Sequence, residues 1–227
     1  MEEKKIAGIK AAEYIENNMV IGLGTGSTAY YMIEKVGELV KSGLNIKAVA
    51  TSQSTENLAK NFNIPLISID DVERIDLAID GVDEIDDQFN AIKGGGGALF
   101  REKMVANIAD KVIWIMDSSK LVDSIGSFPL PVEILPYGHN HILKKLKSLS
   151  FNPVLRMKGE VPFVTDNHNY IVDLHIGKEF DIKYVSEILK SISGVLETGL
   201  FLNICDKIIV GTSNEIKVIE NINKVNF

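Results

Sequence analysis

The sequence predicts an α/β protein, with a mostly parallel sheet covered by helices on both faces and a smaller α+β unit after it. Three observations carry that expectation. Through the first half of the chain, short and nearly continuous apolar runs alternate with stretches of helical periodicity, the pattern of strands buried on both faces. Pro129 and Pro131 then punctuate the chain. Beyond them the order changes to strand, helix, hairpin, helix and strand, which suits a small α+β sandwich. The 227 residues are 45% apolar and 24% charged, enough to bury the core of one or two domains.

Taken in order, apolar residues at Ile6, Ile9, Ala12 and Ile15 predict a first amphipathic helix, and Met19 to Leu23 a buried strand. Helical spacing returns through Tyr30, Ile33, Val36 and Val40, and Lys41-Ser42-Gly43 supplies a basic residue and a glycine as a stop. Strands are expected at Ile46 to Ala50, Pro65 to Ile69, Leu77 to Ile79 and Val112 to Met116, with helices at Glu56 to Phe62 and Ala98 to Ala109. After the prolines come a strand at Val132 to Leu135, a helix at Ile142 to Leu149, and two strands around the turn Asp166-Asn167-His168-Asn169. A helix at about Asp181 to Ile192 and a strand at Lys207 to Gly211 complete the reading. If the last strand returns to the first sheet, residues 1–127 plus about 205–227 form one domain, with about 128–204 inserted as the other.

Charge and composition exclude several classes. The net charge is −7, from 24 basic and 31 acidic side chains, and no cationic cluster suits a nucleic-acid backbone. The strongest apolar run, Val112 to Met116, is far short of the roughly 20 residues that cross a bilayer. The opening Met1-Glu2-Glu3-Lys4-Lys5 has no apolar segment behind it, so no signal peptide is expected. The single cysteine, Cys205, reads as a small core residue of a cytoplasmic protein. The four histidines lack zinc-like spacing, and no metal site is expected.

Three motifs carry chemistry. Gly22-Leu23-Gly24-Thr25-Gly26-Ser27-Thr28 lies between a strand and a helix, where close backbone approach and free N–H groups suit a phosphate. It lacks the lysine of a P-loop. Gly24, Gly26 and Ala29 fit a loose dinucleotide pattern, but Val49 to Ser52 offers no acidic ribose partner, and a plain tight turn is the remaining alternative. Asp80-Gly81-Val82-Asp83 follows an apolar strand at the edge where open α/β sheets bind ligands; its carboxylates could hold sugar hydroxyls or move protons, or form a solvated acidic loop. Lys93-Gly94-Gly95-Gly96-Gly97 runs into a helix bearing Glu102, with Ala98, Met104, Val105 and Ile108 expected in apolar contact. Its N–H groups suit an oxyanion hole, and the helix's positive end favours an ionised Glu102 base. A flexible loop before a surface helix is the alternative. Thr51 to Thr55 can cap a helix while lining the same crevice, or only cap it, and Asp117-Ser118-Ser119-Lys120 brings Lys120 to the same sheet edge, with a solvent-facing lysine as the alternative.

In this order the motifs resemble the A-type ribose-5-phosphate isomerases. The resemblance extends through Arg101-Glu102-Lys103, Phe128 to Glu133, Thr165-Asp166-Asn167 and Gly194 to Phe201, nearly the whole chain. His168 departs from it, standing where the family has a glycine. The resemblance implies interconversion of ribose 5-phosphate and ribulose 5-phosphate through an enediolate, in the non-oxidative pentose phosphate pathway, without metal or cofactor. It implies a Rossmann-like domain with a smaller ferredoxin-like one serving oligomerisation, and a homodimer or homotetramer whose partner is a phosphosugar. Glu102 would be the base, Asp80 and Asp83 would hold hydroxyls, one of them assisting ring opening, and Lys93 with the backbone of Gly94, Gly95 and Gly96 would stabilise the oxyanion. Thr25, Gly26, Ser27, Thr28, Gly81 and Val82 would meet substrate, with Ser27, Thr28 and Lys120 on the phosphate side; Lys4 is a looser match there. A non-catalytic sugar-phosphate sensor on a similar scaffold is the alternative function, although the acidic N-terminus offers no basic DNA-binding helices.

Overall fold

A computed structural model describes residues 1–224; residues 225–227, the end of the expected 205–227 segment, lie outside the described residues. In chain order the elements are α1 (Glu2–Ala12), β1 (Val20–Leu23), α2 (Ser27–Lys41), β2 (Lys47–Ala50), α3 (Gln53–Asn61), β3 (Leu77–Gly81), β4 (Glu84–Ile85), β5 (Ala91–Ile92), α4 (Leu99–Asn107) and β6 (Val112–Asp117). They continue with β7 (Leu130–Ile134), α5 (His139–Ser148), β8 (Pro153–Leu155), β9 (Met157–Lys158), β10 (Val161–Pro162), β11 (Tyr170–Leu174), α6 (Ile182–Lys190), β12 (Val195–Thr198), β13 (Leu200–Phe201), β14 (Lys207–Gly211) and β15 (Ile216–Glu220).

The chain divides into two compact units. The first holds Met1–Val82, Arg101–Leu121 and the stretch from Leu202 onward; the second holds Asp83–Phe100 and Val122–Phe201. The sequence places the changes of domain near 127 and 205, whereas residues 83–100 also go with the second unit, because β5 pairs with both β4 and β13.

The first unit is built on a six-stranded sheet in the order β15-β14-β6-β3-β1-β2, parallel except for the antiparallel edge strand β15. β1 is the switch point: the chain leaves it for β2 on one side and later for β3 on the other. In such a sheet the loops at the carboxyl ends of the two central strands diverge and leave a crevice. Ile21, Leu23, Ile79, Ile113 and Ile115 form the sheet side of the core, and Met32, Ile33 and Val36 of α2 the helix side. In α1 the buried face is Ala7, Gly8, Ala11 and Ala12, while Ile6 and Ile9 are only half-buried. The expected isoleucine stripe is displaced because α1 packs close to α2: a Cβ on Gly8 would stand 2.8 Å from the Met32 nitrogen.

Two further expectations are corrected. Pro65 to Ile69 is no strand; it makes a single bridge, Leu66 to Ala48, before a short 3-10 turn at Ile69–Asp71. In α4, Met104 is exposed, because the inward positions are taken by Leu99, Glu102, Lys103, Val105 and Ala106. Val105 fits beside Gly22 of β1, where a Cβ would stand 2.4 Å from its Cγ1.

The second unit contains an antiparallel four-stranded sheet in the order β12-β7-β11-β8, with α5 between β7 and β8 and α6 between β11 and β12. That is the ferredoxin-like arrangement, carrying an extra hairpin of β9 and β10. Ile142 and Leu146 of α5 and Val185 and Leu189 of α6 bury the helices. Beside it, β13, β5 and β4 form a small antiparallel sheet. No helix among the described residues is long and apolar enough to cross a membrane.

Candidate active site

In the first unit, the loop Gly24 to Thr28 springs from the end of β1 at the switch point. Gly24 passes so close to Asp80 that a Cβ would fall 2.5 Å from the Asp80 Cα. The Asp80 carboxylate, almost fully buried, accepts hydrogen bonds at Oδ1 from the N–H groups of Thr25 (2.9 Å) and Gly81 (2.7 Å). Asp80 thus braces both diverging loops. Thr25 Oγ1 lies 2.8 to 3.0 Å from the hydroxyls of Thr51, Ser52 and Thr55. Thr51 and Thr55 in turn donate to the carbonyls of Leu23 and Gly24. Ser52 also caps α3 through the Thr55 N–H, so this serine and threonine run both caps a helix and supports the loop.

Gly26 has φ +117, a conformation that favours glycine, and stands at the N-cap of α2 without a side chain to cap it. The first-turn N–H groups therefore face outward beside an exposed Ser27. Lys4 reaches across from α1, its Nζ 3.0 Å from Ser27 Oγ and 3.8 Å from the Asp117 carboxylate. Burial alone would raise the Asp117 pKa, but hydrogen bonds from the Ser119 side chain and backbone, with the charges of Lys4 and Lys120, hold it below the usual carboxylate value. Lys120 follows on a 3-10 turn, Ser118–Lys120. Two lysines, the Ser27 hydroxyl and a helix start form a corner of positive potential beside an open cavity of about 510 Å³ whose lining includes Thr25, Gly26, Ser27, Tyr30, Ser54 and Thr55. Thr28 is buried.

Glu102 is also in the first unit, in the first turn of α4 and only 5% exposed. A carboxylate on the inward stripe of a helix is costly to bury.

The second unit carries the glycine loop. Lys93 is 2% exposed at the end of β5; its N–H donates to the Gly199 carbonyl, and its Nζ lies 5.4 Å from the centre of the Phe201 ring. Gly94 and Gly97 are buried, while the peptide between Gly95 and Gly96 is exposed. The Gly95 N–H donates to Asp83 Oδ2 at 2.8 Å. The neighbouring acidic residues have structural work: Glu84 accepts the N–H groups of Gly126 and Phe128, and Asp86 those of Gln88 and Asn90.

Thus Thr25 to Thr28, Asp80, Gly81, Val82, Glu102 and Lys120 belong to one unit, and Asp83, Lys93 and Gly94 to Gly96 to the other. Lys4, a looser match in the sequence, is brought to Ser27 by the first turn of α1. Cys205 is buried, and burial pushes its thiol pKa up to about 12, as suits an inert core residue.

A family model described as ribose 5-phosphate isomerase A (phosphoriboisomerase A) matches residues 47–215. The chain belongs to this family. The ribose-5-phosphate isomerase A of Bifidobacterium adolescentis is 47% identical over 97% of this chain and 96% of its own length. That of Limosilactobacillus reuteri is 47% identical over 95% of this chain and 96% of its own. A solved D-ribose-5-phosphate isomerase in complex with phospho-erythronic acid is 41% identical with a TM-score of 0.93, covering 96% of this chain and 98% of that one. The Plasmodium falciparum ribose 5-phosphate isomerase is 36% identical with a TM-score of 0.91, covering 96% of this chain and 97% of its own. The family is one of isomerases, not of sensors, and this chain is an isomerase of the A type.

Proposed function

We propose that this isomerase interconverts D-ribose 5-phosphate and D-ribulose 5-phosphate in the non-oxidative pentose phosphate pathway, with Glu102 as the base that carries a proton between C1 and C2. The observation that carries the assignment is the placement of Glu102: a buried carboxylate in the first turn of α4, five residues after a loop that exposes backbone N–H groups. A carbon-bound proton beside a carbonyl is weakly acidic, so the reaction needs a fixed base and a place for the charge that develops on oxygen. A positioned base contributes roughly 10²–10⁴-fold and an oxyanion donor about 10²–10³-fold.

In this reading Lys93 and the backbone of Gly94, Gly95 and Gly96 take up the enediolate oxygen, with the Gly96 N–H foremost because the Gly95 N–H is bonded to Asp83. Asp80 and Asp83 hold sugar hydroxyls beside Gly81 and Val82, and one of them assists ring opening. The anion corner of Ser27, Thr28, Lys120 and Lys4, with Thr25 and Gly26, takes the phosphate. The phosphate is fixed and the reacting carbons are delivered to Glu102, which spends binding energy on orientation. The first unit supplies Glu102 and Asp80 and the second Asp83, Lys93 and the glycine loop, and the second also serves oligomerisation in a cytoplasmic homodimer or homotetramer. Phospho-erythronic acid, with a planar carboxylate where the enediolate would form, should inhibit competitively.

Glu102→Gln keeps the shape of the side chain and removes the base. Its kcat should fall at least about 10²-fold while KM stays within a few-fold. Near-normal turnover by the folded variant would remove Glu102 from this role.

A further inference from the structure

The glycine loop is gripped from behind by a residue to which no role has been assigned. Arg156, between β8 and β9, donates from Nη1 to the carbonyls of both Gly94 (3.0 Å) and Gly95 (3.1 Å). Its other face forms a two-point pair with Asp173 of β11, from Nε to Oδ2 at 2.9 Å and from Nη2 to Oδ1 at 2.5 Å. The guanidinium also lies 5.9 Å from the Phe163 ring centre, and that ring closes the space beside Gly97, where a Cβ would stand 2.5 Å from Phe163 Cζ. Arginine and carboxylate are largely buried, with 15% and 19% of their side-chain surface exposed. All of these residues belong to the second unit.

We propose that Arg156, oriented by Asp173, is a positioning residue for the isomerisation: by holding the carbonyls of Gly94 and Gly95 it fixes the direction of the Gly95 and Gly96 N–H groups. The reason is peptide geometry. In a trans peptide the C=O of one residue and the N–H of the next point in opposite directions. The Gly94–Gly95 peptide is held at both ends, its carbonyl by Arg156 and the Gly97 N–H and its N–H by Asp83. The Gly95–Gly96 peptide has its carbonyl on Arg156 as well, so the Gly96 N–H is aimed away from the arginine, in the exposed part of the loop. Glycines bring no side chains to hold such a loop, and a Gly95–Gly96 peptide not held at its carbonyl would present that oxygen to a developing oxyanion as readily as its N–H group. A single planar fork with five donors can serve two carbonyls and a carboxylate together; a lysine cannot.

The inference rests on the oxyanion role given above to the glycine loop, and the test separates the two. Arg156→Met combined with Asp173→Asn removes the pair together, so no buried carboxylate is left without its counter-charge. The folded double variant should lose about 10–10²-fold in kcat, as misplacement of catalytic groups does, with KM for ribose 5-phosphate within about threefold of the parent. Arg156→Lys should be impaired in kcat to a similar degree, and millimolar methylguanidinium should restore part of the turnover of Arg156→Ala. A purely structural role would lower melting temperature and active fraction alike, without splitting kcat from KM and without chemical rescue. Folded double variant turning over within about twofold of the parent, in the same assay in which Glu102→Gln is inactive, overturns the role of Arg156 and leaves the base assignment standing. An active Glu102→Gln would instead sink the underlying mechanism.

Discussion

Two glycine loops feed helices in this molecule, and they are held in different ways. Gly24 to Thr28 is fixed by side chains from the neighbouring strand ends: Asp80 of β3 ties its backbone, the hydroxyls of Thr51, Ser52 and Thr55 beyond β2 support Thr25, and the end of β1 delivers it to the switch point. Lys93 to Gly97 has few side chains of its own and is fixed through its peptide groups, by its own turn bond from the Gly97 N–H to the Gly94 carbonyl, by Asp83 on one side and by the distant Arg156 on the other. Glycine content alone therefore says little about what a loop does; its fixed partners decide whether it presents N–H groups, and to what. The first arrangement suits a phosphate, whose charge and size never change in the reaction. The second suits an oxygen whose charge appears only in the transition state, where pre-set dipoles have most value.

This contrast can be broken at the first loop with Gly24→Ala. The added Cβ meets the Asp80 backbone, which cannot swing away, so about 3 kcal/mol of stability should be lost. Urea unfolding measures it, and an unchanged midpoint would mean that the loop yields more easily than its contacts suggest. A smaller effect sharpens the division of labour. Ser27→Ala should raise KM about tenfold, the worth of one hydrogen bond to a charged group, and leave kcat within twofold. A fall in kcat with unchanged KM would take Ser27 off the phosphate side.

The smallest effect concerns the turn between β10 and β11. His168 occupies the turn after Thr165 with φ +64, a conformation that glycine adopts without strain. The turn is pinned by Glu133, a fully buried carboxylate whose Oε1 accepts from Thr165 Oγ1 and Asn169 Nδ2. His168→Gly should stabilise the protein by up to about 1 kcal/mol, the strain relieved less the entropy that glycine costs. Thermal unfolding reads the shift, and a lower melting temperature would show that the imidazole contributes contacts worth more than the strain.

The parallel sheet, its helices and the chemistry-bearing motifs were legible because each is a local signal: apolar runs of strand length, glycines between strand and helix, carboxylates at a strand end. What was not legible depends on packing between distant segments. The buried face of α1 is alanine and glycine because α2 lies so close, which periodicity of large apolar residues cannot reveal. Met104 looks like a core residue, yet Glu102 and Lys103 take inward positions of α4 in its place. β15 escaped notice because all five of its residues are exposed, and β8 because it is only three residues long. Arg156 sits 61 residues beyond Gly95, in a segment with no motif around it. Only its contacts make it conspicuous.

The central claim is that this chain isomerises a phosphopentose with its own side chains and backbone. The most direct test mixes EDTA-treated, nucleotide-free protein with ribose 5-phosphate and follows the ketose. Rapid approach to the aldose–ketose equilibrium from either sugar, abolished in Glu102→Gln, is the expected result. Folded protein that yields no ketose, or that needs an added metal or nicotinamide cofactor to do so, would contradict it.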